Sequence, residues 1–195
     1  MLSMMQEYIK ESIALEEALA KDQQLAAFFT GAVDAVCRAM QAGNKVLIAG
    51  NGGSAADTQH FAAEFVGKYK MKRAAYPAIA LTTDTSLLTA WSNDEGFEGV
   101  FERQVEALGR AGDVFFGIST SGNSENIIRA IKAAKQKKIV AVALLGGDGG
   151  RTKEMADLEF IVPSRNTPRV QEMHTLILHS IAEEVEKRIS GAAGR

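Results

Sequence analysis

The order of hydrophobic patterns along the chain predicts an α/β fold: a five-stranded parallel sheet, ordered 2-1-3-4-5, with helices on both faces as a three-layer sandwich. Three observations carry this. Five short apolar runs alternate with segments of helical periodicity. Runs such as Lys45–Ala49 (KVLIA) and Ile139–Leu145 (IVAVALL) are continuously apolar, as in strands buried on both faces. Glycine is frequent at 18 and proline rare at 3, which suits tight βα turns better than flexible linkers.

The elements follow in order. From Ser3 to about Ala42, apolar residues recur mostly at three- and four-residue steps (Met4, Tyr8, Ile13, Leu15, Leu19, then Leu25, Phe28, Phe29, Val33, Val36), predicting two N-terminal helices. Their simplest use is core within one chain, although such faces also suit contacts between copies. KVLIA is the first strand. Gly50-Asn51-Gly52-Gly53-Ser54 then opens a helix to about Val66, with Ser54 as its cap and Asp57 as a capping-box-like partner. Ala78–Leu81 and Asp113–Ile118 are the second and third strands, with helical segments near Thr85–Trp91 and Phe97–Leu108 between them. Ser119-Thr120-Ser121-Gly122-Asn123-Ser124 leads into helix Glu125–Lys135, and strands Ile139–Leu145 and Leu158–Val162 complete the sheet. A last helix starts near Pro168, which tolerates the first helical position, and runs to about Ile189. No linker or repeat divides the chain, so 1–195 reads as one domain: a helical pair over 1–42, then core and final helix over 43–190.

Composition narrows the partners. With 22 basic and 24 acidic residues the formal charge is −2, which gives no bulk attraction for nucleic acid or an acidic membrane. No apolar stretch reaches the roughly 18 residues a bilayer span needs, and acidic Glu7 interrupts the start as a leader. A cytoplasmic location is the expectation. Cys37, the single cysteine, falls in an apolar helical pattern and reads as core.

In a sheet of this order, ligands bind outside the strand ends where the connections reverse, flanked by the loops after strands one and three. Those two loops are the unusual ones here. STSGNS brings hydroxyls and backbone N–H groups to a helix N-terminus, where orphan donors and the dipole favour a phosphate; capping of that helix is the plainer reading. GNGGS lacks the lysine of a P-loop and the spacing of a dinucleotide fingerprint, so no nucleotide cofactor is expected. Gly146-Gly147-Asp148-Gly149-Gly150 carries no hydroxyl and reads as a structural turn. The basic cluster Lys68, Lys70, Lys72 and Arg73 reads as a solvated loop.

His60 and Glu64, four apart on the helix that GNGGS opens, share a face. The pair suits a metal or a substrate, or simply a solvated ion pair. On the last helix, Gln171 and His179 are eight apart, roughly 80° on a helical wheel, so both can face one site, whereas His174 points elsewhere and reads as structural.

Together, GNGGSAADTQHFAAEF, LTTDTSLLTAWSNDEGF, GDVFFGISTSGNSENIIRAI and VQEMHTLILH resemble the phosphoheptose isomerases of the SIS (sugar isomerase) superfamily over nearly the whole chain. The resemblance implies a single SIS domain of flavodoxin-like form and conversion of sedoheptulose 7-phosphate to D-glycero-D-manno-heptose 7-phosphate, supplying heptose for lipopolysaccharide. It implies a homotetramer with sites between subunits, and a zinc ion in some members. Ser119, Thr120, Ser121 and Ser124 become the phosphate cradle, Asn51, Gly52, Gly53, Asn93, Asp94 and Gln171 substrate contacts, Glu64 the base and His179 the acid. His60, Glu64, Gln171 and His179 are the family's zinc-ligand positions; ligation lowers the basicity a catalytic carboxylate needs, so Glu64's two roles compete. Lys68 stands where some members have Arg, and Pro168 where some have Asp. The rival class is a non-catalytic SIS binding module resembling replication-initiator-associating proteins, which lack the acidic residue at the position of Glu64. An isomerase or lyase acting on another phosphosugar is the third reading.

Overall fold

The computed structural model describes residues 2–192. Helices α1 (Leu2–Leu19) and α2 (Gln23–Gln41) precede β1 (Val46–Gly50), α3 (Gly53–Val66), β2 (Ala78–Ala80) and α4 (Thr85–Asp94). A 3-10 turn then enters α5 (Val100–Leu108), followed by β3 (Val114–Ser119), α6 (Glu125–Gln136), β4 (Val140–Gly146), β5 (Leu158–Val162) and α7 (Thr167–Ala192). The strands form one parallel sheet in the order 2-1-3-4-5, as the apolar runs predict.

Strand side chains alternate between two cores because successive residues point to opposite faces. Ile48, Phe116 and Leu144 pack under α2, α3 and α7, while Leu47, Phe115 and Ala143 pack under α5 and α6. Cys37 is buried in the first core. Phe61 meets Phe65 and Phe116 edge-to-face, with ring centroids 4.9 and 5.3 Å apart. Each such pair contributes about 0.5–1.5 kcal/mol beyond burial, and the three rings fix how α3 rolls on β3.

The strand ends set the site. Gly50 pairs with Ile118 and Ser119 with Leu145, so the loops after β1, β3 and β4 leave the sheet side by side. Two local expectations are corrected. Ser54 does not cap α3: the cap residue is Gly52, at φ 55°, with no side-chain capping bond. The apolar face of α1 is not core either, since Met4, Met5, Tyr8, Ile9 and Ile13 are exposed; only the end of the helix, Leu15 and Leu19, reaches the interior. Among the described residues, no helix is long and apolar enough to cross a membrane.

Candidate active site

The hydroxyls of the STSGNS loop bond within the loop: Ser119 Oγ accepts from the Gly122 N–H at 3.1 Å and Ser121 Oγ from the Asn123 N–H at 3.2 Å. Ser124 is the cap residue of α6, yet its hydroxyl makes no capping bond and lies 3.1 Å from the Ser119 hydroxyl instead. The plain capping reading therefore fails at the residue where it should hold. The first-turn amides of α6 and the positive end of its dipole face the loop without a side-chain acceptor, the arrangement that favours an anion. The Gly-rich turn after β4 buttresses the loop from behind: Thr152 donates through both backbone N–H and hydroxyl to the Gly122 carbonyl, at 2.9 and 2.7 Å. Gly122, at φ 63°, lies so close that a Cβ there would stand 1.9 Å from the Gly149 carbonyl oxygen.

The GNGGS loop is tied to the same place. Asn51 and Asn126 exchange two amide hydrogen bonds, at 3.0 and 2.9 Å, so the loop after β1 is latched to the first turn of α6. Asn126 is a buried residue that the sequence reading passes over; its only mark in the sequence is a polar side chain where an amphipathic helix turns inward. Gly52 and Gly53 are exposed at the mouth. The Gln171 amide occupies the space a Cβ at Gly53 would take, and reaches the Ser54 hydroxyl at 3.5 Å.

Helices α3 and α7 run alongside each other, and their contacts repeat in step: Ser54 with Gln171, Asp57 with Thr175, His60 with His179. His60 Nε2 lies 3.0 Å from Glu64 Oε1, and the His60 and His179 rings meet edge-on at 4.9 Å. Ligating atoms of His60, Glu64 and His179 all lie within 4.8 Å of one another. Two imidazole nitrogens and a carboxylate oxygen form a donor set that fits zinc. Gln171, eight residues before His179 on α7, places its amide at the GNGGS end, beside Gly53 and Ser54.

Asp57 does not cap α3 but turns to α7, where one carboxylate oxygen accepts from the Thr175 hydroxyl at 3.2 Å. Its other oxygen is buried without a hydrogen-bond partner. Burial raises its pKa, outweighing the Thr175 bond and the two nearby histidines. His174 is fully buried and donates from Nε2 to the Leu145 carbonyl at 2.9 Å, a structural role as expected.

Against this geometry, the family model for the SIS domain matches residues 7–146. The phosphoheptose isomerase of Clostridium acetobutylicum is 52% identical over 94% of this chain and 93% of its own length, and that of Sulfurimonas denitrificans 51% over 95% of each. Solved phosphoheptose isomerases from Neisseria gonorrhoeae and Francisella tularensis superpose with TM-scores of 0.88 and 0.91 at 43% and 36% identity, each covering 95% of this chain and 98% of theirs. The chain belongs to the phosphoheptose isomerase family within the SIS domain proteins.

In this phosphoheptose isomerase fold, some expected positions lie outside the two clusters. Asn93 and Asp94 are exposed at the end of α4, where the Asn93 amide donates to the Asp94 carboxylate at 2.8 Å. Lys68 is exposed in the loop after α3, and Pro168 is exposed in the first turn of α7. The basic cluster needs a correction. Lys68, Lys70 and Lys72 are exposed, but the Arg73 side chain is 5% exposed and paired with Glu186, because its guanidinium finds backbone carbonyls and a carboxylate that a lone cation in water would not need. Tyr69, also missed by the sequence reading, places its ring 5.8 Å from that of His179.

Proposed function

We propose that this chain isomerises sedoheptulose 7-phosphate to D-glycero-D-manno-heptose 7-phosphate in the cytoplasm, an early step in heptose supply for lipopolysaccharide. The observation that carries this reading is the meeting of Glu64, His60 and His179 across α3 and α7, in a member of the phosphoheptose isomerase family.

Aldose–ketose isomerisation needs a base for the proton on the carbon beside the carbonyl, and an acid to move a proton between the neighbouring oxygens through an enediol. Glu64 takes the first role and His179 the second. Ser119, Thr120, Ser121 and Ser124 hold the phosphate, while Asn51, Gly52, Gly53, Gln171, Asn93 and Asp94 contact the sugar. The phosphate, on C7 of the sugar and held in STSGNS, anchors the substrate at the end remote from the reacting carbons. Binding energy gained there is converted into alignment at C1 and C2. His60, Glu64 and His179, with Gln171 as the fourth position the family resemblance implies, would hold a zinc ion, which when bound would polarise the carbonyl oxygen.

Assembly as a homotetramer is part of the proposal. Met5, Ile9 and Ile13 recur at four-residue steps on the exposed face of α1, a stripe that water does not favour. Beside it, an apolar cleft of about 400 Å³ is lined by Leu19, Leu25, Phe29 and Ile177. A second copy of the chain would cover both.

The test is product formation from sedoheptulose 7-phosphate by the purified, metal-replete protein, followed by NMR beside the Glu64→Gln variant. Conversion by the wild type, with substrate binding but no turnover in the variant, is expected. Undiminished turnover in Glu64→Gln would remove Glu64 as the base. A folded oligomer that converts nothing would move the assignment to a binding module or another phosphosugar.

A further inference from the structure

The side chains of Arg73 and Glu186 form a buried clamp that joins the helix carrying Glu64 to the helix carrying His179. Glu186 is 2% exposed on α7 and accepts four hydrogen bonds: from the successive backbone N–H groups of Tyr69, Lys70 and Met71, at 3.0, 2.7 and 2.8 Å, and from Arg73 Nε at 2.9 Å. Although burial alone would raise its pKa, the three amides and the guanidinium hold it below the usual carboxylate value. Arg73 also donates to the end of α3 and to its own loop. Nη2 donates to the Glu64 carbonyl at 2.6 Å, and Nη1 to the carbonyls of Phe65 and Ala74, each at 2.9 Å. The guanidinium carbon also lies 4.0 Å from the centre of the Tyr76 ring.

The last turn of a helix leaves carbonyls without intrahelical partners. Here a guanidinium from seven residues beyond α3 meets two of them, and one belongs to Glu64 itself. Glu186 lies seven residues after His179, two turns along the same face of α7. The clamp therefore fixes the backbone of Glu64, the face that bears His179, and the loop that sets the Tyr69 ring beside His179.

We propose that Arg73 and Glu186 are positioning residues for the isomerase, holding the base and the acid in register without touching substrate. This rests on the isomerase reading. A lysine at 73 keeps the charge but has no planar fork to reach Glu186 and the two carbonyls together. A glutamine at 186 keeps the shape but puts a donor-only NH2 in place of one carboxylate oxygen, so two of the four bonds lose their acceptor and the charge is removed.

The experiment measures kcat and KM for sedoheptulose 7-phosphate in the wild type, Arg73→Lys and Glu186→Gln, with circular dichroism and oligomeric state recorded for each. Both variants are expected to fold and to lose about tenfold to a hundredfold in kcat, with KM within about threefold, since the phosphate grip lies elsewhere. Folded variants with wild-type kcat overturn the proposal. A rise in KM alone does the same, because it places the pair in substrate binding. Collapse of both variants overturns it too, marking the clamp as a requirement of folding. A wild type without turnover strikes instead at the isomerase reading, and the clamp's role falls with it.

Discussion

Asn51, in the loop after β1, and Asn126, in the first turn of α6, satisfy each other's amides in both directions, at 3.0 and 2.9 Å. This exchange latches together the two loops at the point where the strand order reverses, the place where a doubly wound sheet binds ligands. Asn126 is buried, so removing it leaves the Asn51 amide without its partner at a cost of about 1–3 kcal/mol. Asn126→Leu should lower the unfolding free energy by about that amount and reduce kcat/KM for sedoheptulose 7-phosphate at least tenfold. Urea titration and steady-state kinetics check the two halves. Unchanged kinetics would confine the latch to stability.

Gly122 is where the phosphate-sized loop and the Gly-rich turn come closest. Alanine there would face both a left-handed backbone at φ 63° and a carbonyl oxygen 1.9 Å from its Cβ. The left-handed conformation alone costs roughly 1–2 kcal/mol for a non-glycine residue, and the backbone contact can be relieved only by moving the loop. Gly122→Ala is expected to destabilise the fold by at least about 2 kcal/mol and to weaken inorganic phosphate binding, read by calorimetry. Wild-type phosphate affinity in this variant would show that the anion does not sit in this loop.

The sheet was legible because its signal is local and repeated: each strand is a short apolar run buried on both faces, and the order of strands and helices leaves few topologies. The His60–Glu64 pair was legible because helical spacing places residues four apart on one face. What stayed hidden depends on contacts between distant segments. Arg73 looks like one more loop cation until Glu186, 113 residues later, takes it. Asp57 fits a capping pattern until Thr175 claims its carboxylate. The exposed stripe of α1 has the same pattern as a core helix, since periodicity shows that a face is apolar and not what covers it.

Phe61 tests whether the catalytic face depends on the core beneath it. It sits next to His60 in sequence and packs its ring against Phe65 and Phe116 at 4.9 and 5.3 Å, and is 2% exposed. Phe61→Ala is expected to cost about 3–5 kcal/mol, while Phe61→Leu, which keeps most of the volume, should cost much less. If the roll of α3 on β3 sets the His60 and Glu64 side chains, kcat should fall in the alanine variant even at temperatures where it remains fully folded.

His174 makes the pH dependence of stability specific. Its Nε2–H donates to the Leu145 carbonyl while Nδ1 is buried without a partner, so protonation would place an unpaired cation in the core. Burial pushes its pKa down from 6.5 to about 4, against the raising effect of the Leu145 bond. The unfolded chain then binds a proton that the folded chain refuses between those two values. The contribution of neutral His174 is therefore complete above pH 6.5 and is lost as the pH falls toward 4, below which both states are protonated. The shift implies that about 2 kcal/mol of unfolding free energy disappears between pH 7 and pH 5 through this residue. Urea unfolding at the two pH values should show that loss in the wild type. In His174→Gln, whose amide can still donate toward Leu145 but does not titrate, the loss should shrink by about the same amount. An equal loss in both proteins would assign the acid sensitivity to groups other than His174; Glu186 is not among them, because its depressed pKa places its own loss below the usual carboxylate range.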